Sequence, residues 1–286
     1  MSEQPFDDIR GLLAELPPAG EAGAFPRLGG LEPVAAWIAA WRGKAEVNRP
    51  ILALYAGAHQ GAEDEEDPRE RLEAIASGQA PVALAAQHLG AGLDVFDLAI
   101  DRPVPDIATG PAMRERECAA TMAFGMEVLA KQPDLLILGG FGPGAEASAQ
   151  ALLLALLGER GPGATYRRAH DAAVRAMADS SDPLELLRQL GGRESAALAG
   201  AILAARTQRT PVMLDGSPAL AAAAVLAAID PAAIAHCRAA RPHRAAEALG
   251  LASLADLELG LDDGAGALAV LGLVKLACAL AETAGI

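Results

Sequence analysis

The feature that most constrains the fold of this chain is its alternation of short apolar runs with longer, alanine-rich segments of helical periodicity. Short apolar runs are typical of buried strands, and their alternation with helices predicts a parallel sheet with helices on both faces, an α/β fold. The predicted strands are 50–56, 93–100, 134–138 and 211–215, with weaker ones at 232–236 and 255–259. The predicted helices are 34–41, 82–88, 115–129, 146–157, 167–177, 194–205 and 219–228, and Asp182 followed by Pro183 indicates one more helix start.

Composition narrows the classes of partner. The chain has 286 residues, enough for one large domain or two small ones, and its formal net charge is −14. Such an acidic surface repels nucleic acid and anionic lipid, so we expect neither as a partner. Aromatic residues make up only 3% of the chain, so the core must be built mainly from Ala, Leu, Val and Ile.

Targeting and redox signals are weak in this sequence. The longest apolar run, 219–229, is too short to cross a bilayer, and Lys275 interrupts the apolar C-terminal stretch. The N-terminal segment carries acids where a signal peptide needs basic residues, so we expect a cytoplasmic protein with no membrane partner. Three distant cysteines without a CxxC pair favour neither a zinc site nor a disulfide framework. No metal or cofactor is expected.

Glycines and polar residues follow the predicted strands. They occur at 57–61, at 139–144, at 215–218 and at 260–266. Ligands of such sheets bind beyond the carboxyl ends of the strands, so these segments predict a binding site. For any single turn the simpler interpretation is preferred, because tight turns between strands and helices need glycine whatever they bind.

The stretch 135–150 has the order strand, glycine-rich turn, helix start, which is the outline of a phosphate-binding loop. Its helix opens with Ala145 and Glu146, where a phosphate site would need hydroxyls, amides or cations. A dinucleotide-binding oxidoreductase is disfavoured, because the turn lacks the G-x-G-x-x-G spacing.

Several blocks together resemble the nicotinate-nucleotide:5,6-dimethylbenzimidazole phosphoribosyltransferase family. The most specific block runs from Asp182 through Leu-Gly-Gly-Arg-Glu (190–194) to Arg206 and continues over 209–216. Further matches lie at 27–32, 106–107, 110–113, 259–261 and 264–268, so the resemblance covers nearly the whole chain in order.

The resemblance implies a single family unit over 1–286. It predicts a Rossmann-like core of about 47–262 and a small helical lobe formed by 1–46 with 264–286. It also implies a reaction in which a benzimidazole-type base displaces nicotinate from the ribose of nicotinate mononucleotide. The expected partners are a small-molecule nucleotide or such a base, and a homodimer or a heterodimer with a paralogue.

The family's general base, a glutamate, corresponds here to Asp263, with Asp262 beside it. An aspartate is one methylene shorter, so its carboxylate would lie roughly 1–1.5 Å back, and a misplacement of that size can cost about two orders of magnitude in rate. The other interpretation, slightly preferred, is that both acids cap the C-terminal helix.

The family's substrate-binding positions are kept only in part. Gly139, Gly142 and Gly144 remain in the glycine turn, whereas Gly140, Ala145, Glu146 and Ala147 replace an acid, an amide and two hydroxyls. The turn is therefore expected to persist without its phosphate contacts. The other substrate-binding residues implied by the resemblance are Asp215, Gly216, Gly264, Gly266 and His59.

His59 has lost the acid that precedes it in the family, because Ala58 stands there. Without that carboxylate the imidazole is expected to be poorly oriented, and a lone loop histidine is more often solvated. The five acids of 63–67 that follow predict a solvated loop. Near His236 and His243, Arg238 and Arg241 are candidates for anion contact, with a surface charge pair as the equal alternative.

Two hypotheses follow. The chain is either an enzyme that still transfers phosphoribosyl groups, with weakened or altered activity, or a catalytically silent paralogue that serves as a partner subunit or small-molecule binder. The retained scaffold favours the first, and the joint changes at three motifs favour the second.

Overall fold

The computed structural model describes residues 4–21, 23–62, 67–159, 163–256 and 264–284. Its centre is a five-stranded sheet in which every neighbouring pair is parallel, with the strand order β2-β1-β3-β4-β5. The strands are β1 (Pro50–Ala56), β2 (Gly92–Asp97), β3 (Leu135–Phe141), β4 (Val212–Leu214) and β5 (Cys237–Ala239). The predicted parallel α/β fold is confirmed.

Helices connect the strands and cover both faces of the sheet. They are α1 (Phe6–Ala14), α2 (Glu32–Arg42), α3 (Pro68–Ala76), α4 (Pro81–His88), α5 (Glu115–Met126), α6 (Ala145–Leu157), α7 (Gly163–Asp179), α8 (Pro183–Leu190), α9 (Arg193–Thr207), α10 (Gly216–Ile229), α11 (Arg244–Ala248) and α12 (Ala265–Ala284). Short 3-10 turns lie at Gly29–Leu31, Glu127–Lys131 and Pro231–Ile234. The helix start predicted at Asp182 is confirmed, since its carboxylate accepts hydrogen bonds from the N–H groups of Leu184 and Glu185.

Neither of the two weaker strand predictions is confirmed. The segment 232–236 is not a strand: most of it lies in the 3-10 turn Pro231–Ile234, and the edge strand β5 begins just after it. The prediction at 255–259 falls largely outside the described residues. Strand β3 also runs three residues further than predicted, so that Gly139 and Gly140 are strand residues and the turn begins at Gly142.

Two apolar layers flank the sheet. One contains α5, α6, α8, α9 and α10 with their alanine-rich faces, and the other contains α2, α4 and α12. Close packing requires glycine where α5 crosses α9: a Cβ at Gly125 would overlap the carbonyl of Ala197, and one at Gly200 would overlap that of Met122. Small residues therefore replace the aromatic bulk that this chain lacks.

The C-terminal helix α12 belongs to the second layer. By length and composition its segment Ala265–Thr283 would suffice to cross a membrane, but 56% of the most apolar window is buried inside the protein. It packs against α2 and α4, as a core helix does. Helix α1 packs on α5 and α9. The division into a core of about 47–262 and a lobe from the chain ends stays a prediction.

Candidate active site at the carboxyl ends of the strands

A cavity of about 620 Å³ opens where β3 and β4 end. The N-termini of α6 and α10 meet there, because both helices follow turns at the same edge of the parallel sheet. The residue preceding α12, Gly264, lies at the same cavity. The lining residues are Arg71, Gly139, Gly140, Phe141, Gly142, Ala145, Glu146, Asp215, Gly216, Ser217, Pro218, Arg241, Pro242, His243 and Gly264.

The floor of the cavity is the glycine turn after β3. Gly142 has φ 122° and Gly144 has φ 81°, both in the region that side chains avoid. A Cβ at Gly142 would overlap the carbonyl of Gly57, so two strand ends approach each other as closely as backbones allow. The turn is held from below by the loop after β1: the His59 N–H donates to the carbonyl of Pro143 at 2.9 Å.

Three polar side chains form an array at the cavity mouth. The exposed carboxylate of Glu146, in the first turn of α6, accepts from the Ser217 hydroxyl at 3.1 Å and from the Gln150 amide at 2.9 Å. Ser217 Oγ lies 3.4 Å from Nε2 of His243. The three residues come from α6, α10 and the start of α11, and together they place a carboxylate at the α6 N-terminus.

The tautomer of His243 follows from its helix cap. Its Nδ1 accepts the N–H of Ala245 at 3.1 Å, so in the neutral ring the proton is on Nε2 and points to Ser217. Burial lowers the pKa of His243, which favours this neutral form. Since Nε2 carries the proton, His243 is no general base for Ser217, and the array is not a serine-hydrolase triad.

The lining also carries a second set of charges. The Arg241 guanidinium lies 3.5 Å from the carboxylate of Asp215, which is only 4% exposed. The guanidinium of Arg71 stacks over the Phe141 ring, 4.9 Å from its centroid. Among the described residues, the lining therefore holds two arginines against two carboxylates, Asp215 and Glu146, and its formal charge is zero while His243 is neutral.

A buried hydrogen-bonded pair lies behind the glycine turn. Nε2 of His59 is 3.0 Å from Oε1 of Glu194, and the two side chains are 3% and 0% exposed. Glu194 stands in the first turn of α9, and a Cβ at Gly57 or at Gly192 would overlap its carboxylate. Both glycines are therefore needed to make room for this pair.

Similarity to known proteins identifies the family of this chain. A family model described as "Phosphoribosyltransferase" matches residues 24–285. The nicotinate-nucleotide–dimethylbenzimidazole phosphoribosyltransferase of Rhizobium etli is 43% identical over 98% of this chain and 94% of its own length. The protein of the same name from Sinorhizobium medicae is 42% identical over 96% of this chain and 93% of its own length. The chain belongs to this phosphoribosyltransferase family.

A solved structure carries the family fold. CobT from Thermus thermophilus superimposes with a TM-score of 0.79 at 28% identity, covering 97% of this chain and 96% of that one. This chain and that relative therefore share one topology.

The structure brings together many of the site residues predicted from the family resemblance. Those that line the cavity are Gly139, Gly142, Asp215, Gly216 and Gly264, and Arg241 lines it as well. Gly144 is the N-cap of α6, and its added Cβ would lie 2.7 Å from the Cβ of His59. Gly266 falls in the first turn of α12 and is not among the described lining residues. Asp263 lies outside the described residues.

Two sequence-based interpretations, those of His59 and Arg238, require correction. His59 is not solvated: it is 5% exposed and its ring is held by Glu194, which belongs to the block that resembles the family. Arg238 is not at the cavity, since it stacks over the Trp37 ring at 5.7 Å. His236 is a fully buried core residue.

Proposed function

We propose that this chain transfers a phosphoribosyl group from nicotinate mononucleotide to a benzimidazole-type base, as the names of its relatives describe for them, with the activity weakened or altered. The observation that supports this most is the convergence of segments far apart in sequence on one cavity. Gly139 and Gly142 lie at the end of β3, Asp215 and Gly216 follow β4, and Gly264 precedes α12.

The chemistry requires positioning and proton removal. The bond between ribose C1′ and the nicotinate nitrogen breaks, its electron pair returns to the pyridine ring, and a ring nitrogen of the base forms the new bond. We assign Asp263 as the general base that takes the proton of the incoming base. Arg71 and Arg241 are the lining cations suited to the nicotinate carboxylate.

The side chains at the α6 N-terminus support the proposal that the reaction with the mononucleotide is weakened or altered. A helix N-terminus favours a bound phosphate through its free N–H groups and its dipole. Here Glu146 supplies an anion of the chain's own at that place. A mononucleotide phosphate would have to displace or neutralise it.

The test is a direct one. Purified protein is incubated with nicotinate mononucleotide and dimethylbenzimidazole, and nicotinate release is followed by chromatography beside a relative such as the Rhizobium etli enzyme. Slow turnover is the expected result. No turnover, together with co-purification of a paralogue, would support the alternative of a catalytically silent partner subunit. We further propose a cytoplasmic location and a dimer, either with itself or with such a paralogue.

A further inference from the structure

We infer that a second copy of this chain packs against the groove between α1 and α5, with the two α5 helices antiparallel about a two-fold axis. The inference rests on the dimer proposed above and names the face that forms it, but it does not depend on the transfer reaction. The groove has a volume of about 510 Å³. Among the described residues, it shares no lining residue with the candidate active site.

The outward face of α5 is apolar in its middle. The residues that this helix buries in the core are Cys118, Met122 and Gly125. On its other side, Ala120, Ala123 and Phe124 are exposed and line the groove, and Phe124 is 37% exposed. An aromatic ring beside alanines on an exposed helix face forms the kind of apolar patch that marks a site of protein association.

Helix α1 extends this apolar patch. Its Ile9 lines the groove, and Leu12, three positions further along, lies on the same face of the helix. Leu12 is 40% exposed. Because α1 packs on α5, a partner that covers the groove would remove both Leu12 and Phe124 from water.

The charges and the small residues of this face are arranged symmetrically along α5. Arg116 and Glu127 are exposed lining residues at the two ends of the groove face, roughly 16 Å apart along the helix. They lie at equal distances on either side of the midpoint between residues 121 and 122, and so do Ala120 and Ala123. A two-fold axis through that midpoint sets Arg116 of each copy opposite Glu127 of the other. It also sets Ala120 opposite Ala123.

The same axis places the largest side chain of the face against the smallest ones. Phe124 of one copy comes level with Ala119 and Ala120 of the other, so the bulky ring meets small side chains. Alanines at the crossing also let two helices approach at the short end of the usual range of roughly 8–10 Å. A parallel arrangement would instead bring Arg116 against Arg116 and Glu127 against Glu127, which disfavours it.

This symmetry is the reason for choosing a second copy as the occupant. In a contact between identical chains about a two-fold axis, residue i meets residue j and residue j meets residue i, so the face must be complementary to itself. The order of charge, small residues and opposite charge along α5 satisfies that condition. Since α1 and α5 are short, the contact falls at the small end of specific interfaces, and the dimer should depend on protein concentration.

The experiment uses the full chain in sedimentation velocity over a wide range of protein concentrations. We expect the wild type to form a dimer. Glu127→Arg places two arginines opposite each other at both ends of the contact, so the dissociation constant should rise at least about tenfold. In the double variant Arg116→Glu/Glu127→Arg the opposite charges face each other again, and the dissociation constant should return close to the wild-type value. Circular dichroism checks that each variant keeps its helices.

The matched control is Asp171→Arg, which changes the net charge by the same amount on α7, where the side chain is 85% exposed. It should leave the dimer unchanged. A wild type that stays monomeric overturns both this inference and the proposed homodimer. A dimer that Glu127→Arg does not weaken overturns the assignment to α5 and leaves the proposed dimer standing. Weakening by Glu127→Arg without recovery in the double variant overturns the antiparallel pairing. None of these outcomes bears on the transfer reaction, which is measured by nicotinate release.

Discussion

Nε2 of His59 and Oε1 of Glu194 meet at 3.0 Å in the protein interior, directly behind the turn that forms the cavity floor. The pair links the loop after β1 to the first turn of α9. The backbone N–H of His59 also donates a hydrogen bond to the carbonyl of Pro143, so the pair connects α9 to the glycine turn. Glu194 therefore holds the imidazole although Ala58 stands where the family has an acid.

Truncation of this pair should be costly. Glu194→Ala leaves a buried imidazole without its partner, and we expect the free energy of unfolding to fall by about 3 kcal/mol. The measurement is urea denaturation followed by circular dichroism. Because His59→Ala removes the same interaction, the double variant should lose clearly less than the sum of the two single losses. The half-exposed pair of Arg10 with Asp7 is the control, and Asp7→Ala should change stability by less than about 1 kcal/mol.

The glycine at the cavity floor is expected to tolerate no side chain. Gly142→Ala would place a Cβ onto the carbonyl of Gly57 at a backbone φ of 122°, so the turn must move. We expect destabilisation by more than about 2 kcal/mol and loss of donor binding, on the scale of an overpacked site with added backbone strain.

The matched control for that substitution is Gly158→Ala. Gly158 also has positive φ, 70°, but an added Cβ there meets no atom within 4 Å. Its replacement should cost about 1 kcal/mol and leave donor binding unchanged. Equal losses for both variants would mean that backbone strain alone, and not the close approach to Gly57, sets the requirement at Gly142.

The strands that could be predicted from sequence were those with apolar runs, continuous in β1 and β4 and broken by Asp94 in β2. The edge strand β5 was missed because its three residues include the partly exposed Arg238 between two buried ones and form no apolar run. The apolar segment before it, 232–236, instead lies in and just after a 3-10 turn. Asp230 is the N-cap of that turn, and its carboxylate accepts the N–H of Ala232. The hydrogen bond from this capping residue favours the 3-10 turn, although the apolar pattern of the segment predicted a strand.

The site could be predicted in outline and not in its side-chain pairs. Glycines after successive parallel strands indicate one edge of a sheet whatever the intervening sequence. The partner of His59 lies 135 positions further along the chain, and an acid in the first turn of a helix usually signals no more than a favourable dipole contact. Only the overlap that Glu194 would make with any side chain at Gly57 or Gly192 reveals why both are glycine.

Acid should destabilise the protein through His236. Burial among apolar groups, beside Arg206 and Arg238, lowers the pKa of this histidine to about 3, against an ordinary value of 6.5. Between those values the unfolded chain binds a proton that the folded chain excludes, so stability is full above pH 6.5 and falls as the pH is lowered toward 3. The expected slope approaches about 1.4 kcal/mol per pH unit for this one group.

Denaturant unfolding at a series of pH values measures that slope. His236→Gln should lower the slope of unfolding free energy against pH by the contribution of about one proton. It should also lower stability itself, because the contact with the Trp41 ring is lost. The exposed His170 provides the control, and His170→Gln should leave the pH dependence unchanged. An unaltered slope in His236→Gln would assign the acid sensitivity to other groups.

Arg241 is expected to carry a substantial part of donor binding. It is a lining cation that lies beside a buried carboxylate, Asp215. Arg241→Ala removes the cation and leaves Asp215 facing an anionic nicotinate group, so we expect donor affinity to fall more than about tenfold in calorimetry. Arg244→Ala removes an exposed arginine three residues away, outside the lining, and should change affinity less than about twofold. Similar losses of donor affinity in both variants would mean that the overall charge of the protein, and not the position of Arg241, sets that affinity.

The proposed general base gives the sharpest kinetic test. If the carboxylate of Asp263 is set back by one methylene, Asp263→Glu should restore reach and raise kcat by up to about a hundredfold. Asp263→Asn should abolish transfer while donor binding persists, because an amide accepts no proton at neutral pH. Asp262→Asn is the neighbouring control and should keep most of the activity. If Asp262 and Asp263 instead cap the following helix, both Asn variants should retain turnover and Asp263→Glu should bring no gain.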